Sequence, residues 1–182
     1  MSHIEALALE GAPESSQPLL AAVKKQIGAV PNMFRTFAHS PAALEGYLGL
    51  NGALAKGALD PATRERIALA VAEINGCGYC LAAHTYLGKN VAKLSDAEIE
   101  ASRQGRSSDA RAAAAVAFAA HVAANRGHVG GDQIDSVRSA GYSDGEIVEI
   151  IAHVALNTLT NYLNEAAGTA VDFPAAPALR AA

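Results

Sequence analysis

The chain has 182 residues, a formal net charge of −4 and 51% hydrophobic residues. That length suffices for one domain with a substantial core, and the weakly acidic balance argues against nucleic-acid binding, which calls for a basic surplus. Aromatic residues make up 5%, Trp is absent and Ala is abundant, a composition that favours close-packed helices over a sandwich or barrel.

In chain order, residues 1–14 read as irregular. The opening Met1-Ser2-His3-Ile4-Glu5 has no basic segment leading into an apolar run, so no secretory signal is expected. A helix is predicted over residues 16–27, interrupted by Gly28 and Pro31, and a short one over 32–38. Ser40-Pro41 marks the next start, with Ser40 as N-cap and Pro41 in the first turn, and that helix is expected to end near Gly57. Asp60-Pro61 repeats the signal. The helix after it carries Glu65 early and Ile67, Leu69, Ala70, Val71 and Ile74 at helical spacing, up to a stop at Asn75-Gly76. The next helix is predicted over 77–91, with Cys77 and Cys80 both in its first turn.

Ser95 with Glu98, and Ser143 with Glu146, read as capping boxes. Between them lie an Ala-rich helix over 109–125 and a short one over 133–140. The last helix is long, 144–167, closed by Gly168, and 171–182 is a tail carrying Pro174 and Pro177. No run of strands is present, so the expectation is an all-α fold forming a single domain over 1–182. The most apolar stretch, 112–124, contains His121 and is too short to span a membrane. A cytoplasmic location is expected, with some apolar surface buried between subunits.

The chemistry concentrates in Cys77-Gly78-Tyr79-Cys80-Leu81-Ala82-Ala83-His84, which holds the only two cysteines. On a helix, positions three and four apart are neighbours, so Cys77, Cys80 and His84 share a face. A thiolate attacks peroxides and disulfides far better than a thiol. Three features favour it here: the helix N-terminus attracts negative charge, His84 can take the Cys80 proton, and Glu65 can orient His84. Cysteines at i and i+3 can cycle between dithiol and disulfide without large movement.

Two plainer readings of the motif stand beside this one. The cysteines could be packing residues, or part of a zinc site; CxxC plus His supplies three ligands where a closed site needs four. The remaining histidines are scattered. His153, among Ile150, Ile151 and Val154, reads as a hydrogen-bonded core residue. Asn157 and Asn161 read as ties between helices, and Arg64 and Arg66 as solvated ion-pair partners or interface residues. Glu73 is close to Cys77 in sequence but is set aside for Glu65.

The stretch from Arg64 to His84 resembles the core of the AhpD-like alkylhydroperoxidases, within the wider carboxymuconolactone decarboxylase family. The shared pattern is a Glu, eleven residues, then Cys-x-x-Cys-x-x-x-His, met by Glu65, Cys77, Cys80 and His84. The likeness extends over roughly 34–168, through Ser40-Pro41, Asp60-Pro61, Gly141-Tyr142-Ser143 and the long helix with Asn161. Tyr79 between the cysteines looks like the peroxidase-related subgroup; the best-studied enzyme of the family has a histidine there. The resemblance implies an AhpD-like helical domain whose CxxC motif sits at the N-terminus of a core helix. It implies Cys80 as peroxidatic thiol, Cys77 as resolving thiol, and His84 with Glu65 in proton transfer. The implied activity is reduction of hydrogen peroxide or organic hydroperoxides. No metal, haem or flavin cofactor is implied, and electrons come from a thiol or dithiol partner protein. The chain is expected as a homo-oligomer (dimer, trimer or hexamer). Two rival activities are a lactone lyase or isomerase of the carboxymuconolactone type, and a redox adaptor passing electrons to a peroxiredoxin.

Overall fold

The computed structural model describes residues 2–179. Its helices are α1 (Gln17–Ile27), α2 (Asn32–Phe37), α3 (Pro41–Leu54), α4 (Pro61–Ile74), α5 (Gly78–Asn90), α6 (Asp96–Arg103), α7 (Ala110–Ala124), α8 (Gly131–Ser139) and α9 (Asp144–Ala167), preceded by a 3-10 turn at Leu9–Gly11. Among the described residues there is no strand, and the fold is all-α.

Helix α4 is central because its middle has no polar face. Residues Ile67 through Ala72 are all at most 3% exposed, and a helix apolar all round must be enclosed by others. Ile67 and Val71 join Val116's helix α7, through Ala115, Phe118, Ala119 and Val122, and α9, through Ile147, Ile150 and Val154, in one core. Leu69 packs with Leu94 and Ile99 beside α6. Ala72 points into a second core with Met33, Phe37, Leu44, Cys77 and Cys80. The thiols therefore sit where α2, α3, α5 and α9 close over the C-terminal end of α4.

Start signals work as side-chain caps. Ser40 accepts from the Ala43 N–H at 3.3 Å, Asp60 from Thr63 at 2.9 Å and Asp109 from Ala112 at 2.8 Å, each meeting a donor that lacks a helical partner. The Ser143–Glu146 capping box is complete: Glu146 N–H donates to the serine hydroxyl, and Glu146 Oε2 accepts the Ser143 N–H at 2.8 Å.

Several boundaries and pairings differ from expectation. Helix α3 stops at Leu54, not near Gly57. The Ala58 and Leu59 N–H groups donate to the Glu149 carboxylate of α9, at 2.8 and 3.3 Å, which draws the chain out of the helix. Helix α8 begins at Gly131, because Gln133 sits at its third position and its side chain accepts the Gly130 N–H. The Ser95–Glu98 box is only half formed. Ser95 accepts from Glu98 N–H at 3.1 Å, but the Glu98 carboxylate turns inward to Arg66 and to the Ser107 and Ser108 hydroxyls. Cys77 is the N-cap of α5 rather than a first-turn residue.

The tail is held down by named contacts. Asp172 accepts from the Tyr79 hydroxyl and from the Asn32 N–H, both at 2.8 Å. Phe173 meets Tyr79 edge-on, and Arg103 donates to the Pro177 carbonyl. No described helix is long and apolar enough to cross a membrane.

Candidate active site

The site begins with a turn. Helix α4 ends in a Schellman motif: Gly76 N–H donates to the Glu73 carbonyl at 3.1 Å and Cys77 N–H to the Ala72 carbonyl at 3.0 Å. Gly76 has φ +67°, the left-handed conformation this motif requires and glycine adopts without Cβ strain. Cys77 thus ends one helix and caps the next: its sulfur accepts from the Cys80 N–H at 3.4 Å.

Both cysteines are reduced and buried, Cys77 at 0% and Cys80 at 2% exposure. The Cys77 thiol donates toward the Cys80 sulfur, and this is the largest influence on Cys80. Burial opposes it; the His84 charge and the Asn164 hydrogen bond, with the Asn161 carboxamide nearby, add to it, leaving the Cys80 thiol more acidic than an ordinary cysteine. The same Cys77–Cys80 hydrogen bond, with burial, pushes Cys77 the other way. One sulfur is prepared as the thiolate and its neighbour as the proton-holding thiol.

His84 lies on α5 four residues after Cys80. Its Nδ1 is 2.9 Å from Glu65 Oε2 on α4. Burial pulls the imidazole pKa down, but the Glu65 charge and hydrogen bond, with the Cys80 charge, outweigh it and raise the value. The Glu65 and His84 side chains each keep 21% exposure. They form the wet edge of the site, while the sulfurs form its dry floor.

All four sequence-selected residues, Glu65, Cys77, Cys80 and His84, thus lie in one place. Tyr79 does not turn to the sulfurs. Its hydroxyl accepts from Met33 N–H at 3.2 Å and donates to Asp172, anchoring α2 and the tail. Three neighbours were missed from sequence. Tyr47 on α3 feels the charges of Cys80 and Glu65, although burial is the main reason its pKa is raised, and it stacks on Phe37 at 5.1 Å. Asn164 on α9 donates to the Cys80 sulfur at 3.3 Å, and Asn161 stands one turn before it. The Asn164 contact with Cys80 spans more than eighty residues, beyond the reach of any local spacing.

Other candidates fall elsewhere. Glu73 pairs with Arg103 at 2.7 Å and Arg66 with Glu98 at 2.7 Å, the latter pair mostly buried rather than solvated. Arg64 donates to the Leu54 carbonyl at 3.2 Å. Asn161 ties α9 to Asn75, but Asn157 donates only to the His153 carbonyl within its own helix. His153 is buried as expected, yet its Nε2 has no partner. Burial, then the Arg64 charge, lowers its pKa to about 4. Among the described residues, no group of three or more His, Cys, Asp or Glu side chains is arranged to hold a metal ion.

Residues 41–125 match the carboxymuconolactone decarboxylase family. The AhpD core of a peroxidase-related protein from Ralstonia eutropha JMP134 is similar, with TM-score 0.83 and 24% identity over 94% of this chain and 92% of that one. A peroxidase-related protein from Silicibacter sp. TM1040 follows at TM-score 0.79 and 24% identity, over 92% and 91%. The debrominase Bmp8, as a cysteine-to-alanine variant in complex with 2,3,4-tribromopyrrole, has TM-score 0.79 and 20% identity over 94% and 92%. No curated protein sequence matches the chain.

Proposed function

From the match of residues 41–125 to the carboxymuconolactone decarboxylase family and the AhpD-like fold, we propose that the chain is a thiol-dependent peroxidase of that family, acting on hydrogen peroxide or organic hydroperoxides. The observation that carries this reading is the gathering of the buried Cys77–Cys80 pair, with Asn164 donating to the Cys80 sulfur at 3.3 Å, beside a His84–Glu65 pair at 2.9 Å, an arrangement that favours the thiolate at Cys80 and the thiol at Cys77. The Cys80 thiolate attacks one peroxide oxygen, the O–O bond breaks, and the departing alkoxide takes a proton from the His84 imidazolium, leaving as alcohol or water. Cys80 becomes a sulfenic acid. The Cys77 thiol then attacks the Cys80 sulfur, the S–O bond breaks, and the sulfenic oxygen leaves as water. Glu65 holds His84 in place and supports its positive charge. A partner dithiol returns the two electrons by disulfide exchange.

Fully reduced protein treated with one equivalent of cumene hydroperoxide should lose two hydrogens, mapped by mass spectrometry to a Cys77–Cys80 disulfide. Two unreacted thiols would remove the peroxidase reading. A Cys77→Ser, Cys80→Ser variant with full activity on a lactone acid would install the lyase reading in its place. Peroxide turnover that depends on an added peroxiredoxin would mark an electron-passing adaptor.

The debrominase likeness favours a second reading of the same dithiol. A thiolate can attack an electrophilic bromine instead of oxygen: the C–Br bond breaks, the carbon takes a proton, and Cys77 displaces bromide to form the disulfide. Bromide release from 2,3,4-tribromopyrrole by reduced protein that ignores cumene hydroperoxide would select this alternative.

A further inference from the structure

Helix α9 brings two asparagines to Cys80 that neither the thiol motif nor its histidine and glutamate explains. Asn161 and Asn164 are three residues apart, hence on one helical face, and both are buried, at 0% and 2% exposure. The Asn164 side-chain N–H donates to the Cys80 sulfur at 3.3 Å. Asn161 is oriented from behind: its Oδ1 accepts from the Asn75 side chain at 2.8 Å, where α4 ends. With the oxygen engaged there, its Nδ2 is buried without any hydrogen-bond partner. The Asn164 Oδ1 is likewise buried without a partner. Two unpartnered polar atoms beside one sulfur are costly in a dry core unless that sulfur carries charge or gains oxygen.

Resting on the thiol-dependent reading of this site, we propose that Asn164 is a further catalytic residue and Asn161 its positioning partner, the two carboxamides forming a seat for the Cys80 sulfur. In the resting protein the Asn164 N–H holds the negative charge of the sulfur, and the Asn161 N–H stands one helical turn away with no partner of its own. The Asn164 hydrogen bond is among the influences that make Cys80 more acidic, after Cys77 and the His84 charge. The Asn164 oxygen, bonded to the same carbon as the nitrogen that touches the sulfur, has nothing to accept while Cys80 is reduced. Once the sulfur is a sulfenic acid, its O–H supplies that donor. The seat therefore serves both ends of the oxidation: donors for the thiolate, an acceptor for the hydroxylated sulfur.

The test reads the sulfur without any peroxide. In a Cys77→Ser background the Cys80 thiolate is titrated by its ultraviolet absorbance. The other titratable groups near it are His84 and Tyr79 on α5, Glu65 on α4 and Tyr47 on α3, all unchanged across the series. Asn164→Leu, of similar volume but without the donor, should raise the midpoint by about one unit, a roughly tenfold loss of thiolate below it. Asn164→Ser, which restores a small donor, should recover part of the shift, and Asn161→Leu should give a smaller one. Should the leucine not be accommodated, Asn164→Ala removes the carboxamide without adding branched atoms and gives the same reading. A folded Asn164→Leu or Asn164→Ala protein that titrates like its parent overturns the seat, whatever the peroxide assay shows. Conversely, a parent that ignores peroxide while its midpoint moves in the variants removes the peroxidase reading and leaves the seat in place.

Discussion

Glu65 acts on the sulfur at one remove. Its carboxylate is 2.9 Å from His84 Nδ1 and keeps the imidazole pKa raised against the pull of burial; the His84 charge in turn favours the Cys80 thiolate. Glu65→Gln keeps the shape and removes the charge. His84 then loses its proton at lower pH, and peroxide reduction should fall about tenfold near neutrality. The loss should shrink as pH is lowered toward the range where His84 is protonated again. Both side chains are partly exposed, so the melting temperature should move little. Stopped-flow oxidation of reduced protein across pH checks this, and a folded variant with a wild-type profile removes Glu65 from the mechanism. These four residues were legible because Cys77, Cys80 and His84 share a helical register and Glu65 lies on the adjoining helix. Asn161, Asn164 and Tyr47 were not, since only the packing of α9 and α3 onto α5 brings them to the sulfur. The role of Tyr79 was equally hidden: its hydroxyl partner is Asp172, on the irregular tail.

At the scale of elements, the joint between α4 and α5 matters most. Gly76 at φ +67° lets α4 end and Cys77 cap α5 in consecutive residues. A Cβ meets nothing there, so Gly76→Ala introduces only backbone strain, about 1–2 kcal/mol. A chemical denaturation midpoint should fall accordingly, and an unchanged midpoint would show that the joint relaxes freely. The junctions also titrate. Burial alone would push Glu98 up, but the Ser107 and Ser108 hydrogen bonds and Arg66 outweigh it and hold its pKa at about 2. Its contribution is complete above the ordinary glutamate value of 4.5 and is lost as pH falls toward 2, of order 3 kcal/mol. His153, lowered from 6.5 to about 4, works over a higher window: below 6.5 the unfolded chain takes a proton that the folded one refuses. Stability should thus fall in two stages on acidification, and His153→Leu should abolish the first. A single stage near pH 3 would contradict this assignment. Helix starts were readable from Ser40, Asp60 and Ser143, whose side chains act within four residues. The end of α3 was not, because Glu149, some ninety residues away, sets it. Glu98 misled for the same reason: its local cap role loses to Arg66 and the serines near α7.

For the whole molecule, the outer face of α9 poses the remaining problem. Val148, Ile151, Leu159 and Tyr162 are 64%, 40%, 44% and 62% exposed. With Ala155 between them they follow the three-four spacing of one helical stripe. An open apolar groove bordered by Ile4, Phe37, Ala43 and Leu163 continues from Leu159 and Tyr162. A continuous apolar surface of this kind marks an interaction site, and we propose a second copy of the chain as its occupant, in keeping with the hydrophobic excess of the composition. The same helix turns Asn161 and Asn164 inward to Cys80, so assembly along the stripe would also steady the site. Sedimentation of the purified protein should therefore show a homo-oligomer. Leu159→Glu combined with Tyr162→Glu places like charges on the stripe and should give monomers with unchanged helical circular dichroism. Both residues point away from the sulfurs, so the Cys80 titration of the monomer separates assembly from chemistry: an unchanged midpoint makes the thiolate a property of each chain, and a raised one makes it a property of the assembly. A wild-type protein that sediments as a monomer at all working concentrations would leave the stripe to some other partner.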